Sequence, residues 1–202
     1  LVEQFGSDAV RYVLMAEVPF DRDGDFSMEV FVDRYNADLA NDYGNLVSRT
    51  TKMVARYFDG LVPSPGPREP IDDELRSLAA EVAPQYESAL EDLDISGALA
   101  SARRLIGRAN KYVEETAPWT LHKESSPRLA TVIHELLEAL RVSTILLAPV
   151  VPRAAARVAD DLGINLQEPA AREWNLLRAG DPVKVGEILF PRLDRAAVLG
   201  GD

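Results

Sequence analysis

There is no cysteine among the 202 residues, which excludes disulfides and thiolate metal sites and permits a reducing cytosol without requiring one. Histidine is almost as scarce. His122 and His134 are the only two, neither has a second ligand at metal spacing, and each reads by default as a packed or surface residue. No stretch approaches the roughly 18 apolar residues of a membrane span. The opening residues LVEQFGSDAVRYVLM lack the basic start and cleavage site of a signal peptide. Cations are also short: 22 Lys and Arg stand against 33 Asp and Glu, a formal charge of −11, which taken alone argues against a phosphate-rich partner. No glycine-rich loop follows a strand, and no serine sits in a nucleophile's context. Asp21, Asp23 and Asp25 alternate like the start of a calcium loop. Phe26 stands where that loop needs glycine and Val32 where it needs glutamate, so a solvated acidic turn is the better reading. Neither a catalytic nor a metal site is expected.

What is present is helical periodicity. Apolar residues make up 47% of the chain, enough for a packed core. A first helix is expected over 7–17. Ser27 is an N-cap candidate for a helix running unbroken to Asp59, about 48 Å at 1.5 Å per residue, with Gly60 as its stop. Gly44, near its middle, either softens it or lets a neighbour approach. After the linker VPSPGPREP, Asp72 caps a helix to about Leu93, kinked at Pro84. Another helix starts at Asp94 or Ser96 and ends before Pro118. Ser126 and Pro127 then open the most apolar helix, LATVIHELLEALRVSTILLAP, and a short helix ends near Gly163. Val185–Phe190 looks strand-like. The spacing predicts an all-α helical bundle with a small N-terminal segment (1–26), a main bundle (27–178) and a C-terminal tail (179–202). The chain starts without Met inside a helical pattern and reads as part of something longer.

The charge is unevenly spread. Glu69 to Asp94 carries nine acids against Arg76, whereas 45–58 carries Arg49, Lys52 and Arg56 with no acid, and 103–111 carries Arg103, Arg104, Arg108 and Lys111 with none. Such runs are as often ordinary surface patterning as a ligand face. On the first basic segment, Asn41, Asn45 and Arg49 are spaced i, i+4, i+8, a polar row on one helix face. In ETAPWTLHK, Trp119 follows Pro118 at a helix end beside His122 and Lys123. A tryptophan there is usually a core anchor; fixed and exposed by the proline, it suits base stacking, worth about 1–3 kcal/mol per base.

RYNADLANDYGNLVSRT, with GSDAVRYVLMAEVPFDRDGDFS upstream and YVEETAPW and VGEILFPRLD downstream, resembles the C-terminal part of bacterial methionyl-tRNA synthetases, in order from Leu1 to about Arg192. The resemblance implies a stem-contact segment followed by a helical anticodon-binding domain. It places the family's anticodon-reading Asn and Arg on Asn45 and Arg49, its stacking Trp on Trp119 after Pro118, and a secondary polar position on Asn41. It implies recognition of the CAU anticodon of methionine and initiator tRNAs, chiefly its first base. Lys52, Arg56, Arg104, Arg108 and Lys111 are candidate phosphate contacts. Neither the HIGH-like nor the KMSKS-like catalytic motif is present, so ATP, Mg and aminoacylation belong to a catalytic domain elsewhere in the parent enzyme. The chain is expected to be inactive alone, monomeric and cytoplasmic. Two alternatives stay open: the anticodon domain of an isoleucine, valine, leucine or cysteine synthetase, and a helical protein-interaction module with no RNA role.

Overall fold

Residues 1–17, 26–167 and 173–200 are described by a computed structural model. Two helices, α1 (Val2–Phe5) and α2 (Ser7–Glu17), precede a long helical rod. The rod opens as expected: Ser27 Oγ accepts the Val30 N–H at 3.2 Å and starts α3 (Met28–Arg34). It is not a single α-helix, however. Tyr35–Gly44 is wound as a π-helix, and α-helical winding resumes as α4 (Asn45–Phe58). Wide turns are intrinsically rare, and tertiary bonds from several sides hold this one. Asp38 accepts from Tyr12 Oη at 3.0 Å and from Arg103 at 2.8 Å. The Tyr43 hydroxyl pairs with that of Thr144 at 3.0 Å. The Asn36 amide bonds both the C=O and the N–H of Leu193, at 3.0 and 2.8 Å. Gly44 supplies a close approach: a Cβ there would lie 2.8 Å from the Leu39 carbonyl oxygen, with Phe190 of the tail 3.8 Å away. Left-handed Asp59 (φ 51°) and Gly60 (φ 77°) end the rod.

The chain continues as α5 (Pro70–Glu91), α6 (Ile95–Thr116), α7 (Pro118–Lys123), α8 (Arg128–Leu147), α9 (Pro152–Leu162) and α10 (Arg195–Leu199). Asp72 is not the N-cap of α5. It stands at the third helical position, behind Pro70 at the first, and reaches back to accept the Glu69 N–H at 2.8 Å. α5 runs through Pro84 as one helix, with Pro84 on its exposed side, where water can serve the carbonyl that proline leaves unbonded. Asp94 caps α6 by accepting the Gly97 N–H at 2.9 Å. Ser126 stands one residue further out than a cap, and its Oγ accepts the Arg128 N–H at 3.3 Å.

α8 is the axis of the bundle. Every residue from Thr131 to Leu147 is buried, under α4, α5, α6, α7 and α9. The burial includes Glu135 and Glu138, both with no exposure at all. Arg76 of α5 binds Glu135 through both arms of its guanidinium, and Trp174 Nε1 adds a bond at 3.1 Å. Glu138 accepts from Arg141 at 2.8 Å and from the Leu177 N–H at 2.7 Å. α2 is tied to the far end of the same helix. Asp8 accepts the Ala154 N–H at 2.7 Å in the first turn of α9, and Arg11 donates to the Val150 and Pro149 carbonyls at 3.0 and 2.8 Å.

Val185–Phe190 does not form the expected strand. Among the described residues the only β-type pairing is the antiparallel bridge Leu61↔Pro182. An all-helical body offers no sheet edge, so the tail is stitched down by single bonds instead: Val183 N–H to Gly60 O at 2.7 Å and Lys184 N–H to Asp161 O at 2.8 Å. The calcium-loop reading of Asp21, Asp23 and Asp25 falls outside the described residues.

Two predictions follow from this packing. Replacing a mid-helix glycine with alanine ordinarily stabilises by about 1 kcal/mol; at Gly44 the Leu39 carbonyl reverses the sign, and Gly44→Ala is expected to lower the thermal midpoint in calorimetry. Asp72 is fully buried and accepts from Tyr112 Oη and Arg128. Burial alone would raise its pKa, but the bonds from Arg128, Tyr112 and the Glu69 N–H outweigh burial and hold it below the ordinary value. A depressed folded-state pKa contributes stability that is complete above the unfolded value of about 3.9 and is lost as pH falls through the folded one. Asp72→Asn is therefore expected to cost about 3 kcal/mol at neutral pH and to flatten the acid limb of a denaturant-midpoint profile below about pH 4.

Candidate nucleic-acid interface

On an α-helix, positions i, i+4, i+7 and i+11 fall on one face, and in α4 these are Asn45, Arg49, Lys52 and Arg56. The opposite side, Leu46, Val47, Thr50 and Val54, is buried, so packing against the bundle forces the polar side outward. Arg49 is half-exposed and pairs with Glu114 near the end of α6 at 2.6 Å. This pair lies at the surface and is worth about 0–1 kcal/mol, weak enough for an incoming ligand to displace. The Asn45 side chain has no polar partner, and Lys52 and Arg56 have no acidic one, among the described residues. The Arg56 guanidinium carbon lies 5.7 Å from the Tyr57 ring centroid.

Trp119 sits at the corner where α6 turns into α7. Ala117 closes α6 in the left-handed region (φ 42°), a strained conformation for a residue with a Cβ, and buried Pro118 starts α7. Trp119 is 40% exposed, so its core-anchor reading is set aside. The corner and α4 meet twice: through Arg49 and Glu114, three residues before Ala117, and through His122, which stacks on Tyr57 with ring centroids 4.4 Å apart. Trp119 and His122, at i and i+3, share a face of α7. Arg49 and Tyr57, eight residues apart, are separated by about 12 Å along α4. The corner that carries Trp119 is therefore joined to α4 at both Arg49 and Tyr57, with Asn45 one turn before Arg49.

Asn41 departs from the row. It lies in the π segment, where an α-helical i+4 step no longer holds, and lines a cleft of about 650 Å³ with Asn36, Asp33, Arg192 and Arg195 beneath the tail. Next to it, burial and then the neighbouring Asp38 push the Asp42 carboxyl above its ordinary pKa, against a pull from Arg103. The basic run on α6 has acidic partners throughout. Arg103 binds Asp38, Arg104 binds Glu81, Arg108 binds Glu74 and Glu115, and Lys111 binds Glu115. Of the five phosphate candidates, Lys52 and Arg56 alone lack an acidic partner among the described residues.

Sequence reasoning missed Glu114, the Tyr57–His122 stack and Asn110, whose amide donates to the Asp42 carbonyl at 3.1 Å. Glu114 sits in a helix end rich in acid, and Tyr57 continues an apolar spacing, so neither carries a local signal. His134, by contrast, is buried in α8, as its apolar surroundings imply.

A family model described as the anticodon binding domain of methionyl tRNA ligase matches residues 62–198, and one described as class I tRNA synthetases (M) matches residues 1–51. The methionine–tRNA ligase of Caldanaerobacter subterraneus subsp. tengcongensis is 45% identical over 198 residues, 96% of this chain and 31% of that protein. That of Bacillus subtilis is 42% identical over 202 residues, again 96% of this chain and 30% of its own length. The free-state crystal structure of Mycobacterium tuberculosis methionyl-tRNA synthetase superposes with a TM-score of 0.87 at 34% identity, over 96% of this chain and 40% of that one. The chain thus spans about three tenths of the curated relatives it matches. These matches do not favour an isoleucine, valine, leucine or cysteine synthetase, or a bundle with no RNA role. A helical bundle with an exposed indole beside a polar helix face, matched over most of its length by that family's own domain, places the chain in the methionyl-tRNA ligase family as a carrier of its anticodon-binding domain.

Proposed function

We propose that the α4 face and Trp119 read the unpaired CAU anticodon of methionine and initiator tRNAs, and chiefly its first base. Single-stranded RNA loops are recognised by bases splayed out, stacked on aromatics and hydrogen-bonded at their edges. In this reading the extruded cytosine stacks on the Trp119 indole, held at the corner by Pro118. The Asn45 amide, which both donates and accepts, takes the cytosine amino group. The Arg49 fork donates to the ring nitrogen and carbonyl, which are acceptors in cytosine. Uracil carries an N–H where cytosine carries a lone pair, so the same fork rejects it. Asn41 serves the loop one turn away, over the tail cleft. Lys52 and Arg56 approach phosphates first; Arg104, Arg108 and Lys111 do so only by exchanging their acidic partners. The surrounding acid confines the tRNA to this flank by repulsion.

The wider assignment follows the relatives. The chain acts within a cytoplasmic methionine–tRNA ligase, a monomer in which a catalytic domain uses ATP and Mg to aminoacylate the tRNA. Residues 1–26 form the stem-contact segment, 27–178 the reading bundle and 179–202 the tail that braces it. No described helix is long and apolar enough to cross a membrane.

The observation that carries the proposal is the exposed indole on the flank of Asn45 and Arg49. The 202-residue chain, titrated with fluorescent anticodon stem-loops, is expected to bind a CAU hairpin more tightly than one with a changed first base. Trp119→Ala is expected to weaken binding of the CAU hairpin by about 1–3 kcal/mol and, with the first base no longer held against Asn45 and Arg49, to remove most of that difference. Equal binding of both hairpins by the unaltered chain overturns the reading.

A further inference from the structure

Tyr12, Tyr43, Tyr86 and Tyr112 are fully buried, and the rings of Phe5, Phe26, Phe31, Tyr35 and Phe190 pack together at the opposite end of the long rod. Among the described residues, the Tyr57–His122 pair is the one ring pair with a solvent-exposed member. Its planes lie 25° apart at a centroid distance of 4.4 Å, so the two rings form a short stack, and His122 is its exposed member. No other ring contact among the described residues uses His122. Trp119 is one turn away on the same face of α7, with Cβ atoms about 5–6 Å apart. Arg56 approaches the tyrosine ring, Lys52 is one turn before Arg56 on α4, and Lys123 follows the histidine in sequence. The exposed Trp119 and His122 and the half-exposed Tyr57 therefore gather with Arg56 at their side. Asp59 and Glu124 are the nearest acids in sequence, and Glu114 is already engaged with Arg49. Stacking surfaces edged by cations are the recurring composition of sites for single-stranded nucleic acid.

We infer that the His122–Tyr57 stack is a second base platform, taking an unpaired nucleobase next to the one stacked on Trp119. The inference rests on the anticodon reading above. Tyr57 backs the imidazole so that its plane is already set when the base arrives, and Arg56, beside the stack, neutralises the phosphate joining the two nucleotides. The platform is indifferent to base identity, because every base has a stacking face. It adds affinity, whereas Asn45 and Arg49 add selectivity.

The test uses anisotropy titrations of the 202-residue chain with three CAU stem-loops: intact, abasic on the 5′ side of the first anticodon base, and abasic on its 3′ side. His122→Leu keeps the packing against Tyr57 without the aromatic face. It is expected to weaken binding of the intact hairpin by about 5- to 150-fold, the range for one stacked base. His122→Phe is expected to restore it. Against one of the two abasic hairpins, wild type and His122→Leu are expected to bind alike. His122→Leu binding the intact hairpin as wild type does, or weakening all three hairpins equally, overturns the inference, because the stack then only pins α7 to α4. Should wild type show no first-base preference while His122→Leu still behaves as expected, the anticodon reading fails and the platform stands.

Discussion

A helix buried on every side, with two carboxylates in its middle, dictates the arrangement of this molecule. Glu135 and Glu138 of α8 have no exposure, and leaving either without its cation or donors would cost several kcal/mol. Glu138 finds its cation within α8, in Arg141, but the remaining partners come from far away in sequence: Arg76 on α5, and Trp174 and the Leu177 N–H beyond α9. Apolar burial alone would let α8 rotate or slide with little penalty. The paired charges admit one register, so α5 has one place, and the α5–α6 hairpin that follows it has one place too. Asp72 reinforces this from the other side by joining Tyr112 of α6 and Arg128 of α8 to the start of α5.

The exposed flank is a consequence of that register. Once α6 is fixed, its end fixes the strained turn at Ala117, and the turn aims Trp119 outward while Pro118 is buried. Strain of this kind persists only where surrounding packing over-determines the backbone, and α7 is held on two sides, by α8 and by the His122–Tyr57 stack. The π segment does the corresponding work on the rod. It ends at Gly44, immediately before Asn45, so the α-helical face carrying Asn45 and Arg49 starts from a point clamped by Asp38, Asn36 and the tail. The long helix is therefore braced directly before the residues it presents.

Sequence patterns disclosed the elements whose cause is local. Ser27, Asp94 and Gly60 mark helix ends because each serves backbone groups within a few residues of itself, and the apolar run of α8 announces its own burial. The readings that failed depend on distant partners. No local pattern in YNADLANDYG distinguishes a π-helix from an α-helix; Tyr12, Arg103, Thr144 and Leu193 decide it. Val185–Phe190 has strand character without a sheet to join. The candidate site divides in the same way. Asn45, Arg49 and Trp119 stood out as residue types and through family resemblance, and their part in binding is the proposal made above, but whether Trp119 faced water depended on the turn at Ala117. The displacement of Asn41 into a separate cleft depended on the π winding.

The net charge of −11 also resolves once partners are counted by place. The basic stretch of α6 lies against acids of α5, the rod and its own last turns, so four of its cations are matched within the fold. On α4 the acids are absent from the helix itself, and the neighbouring α6 supplies only Glu114. An acidic protein can therefore carry a locally cationic strip without any excess of Lys and Arg. Over a Debye length of about 8 Å at physiological salt, a polyanion near that strip is governed by Lys52 and Arg56 more than by the distant acids of α5. The same acids repel it from the rest of the surface. A charge balance that argues against a nucleic-acid partner when summed over the chain thus does not do so face by face, because α4 carries cations and no acid.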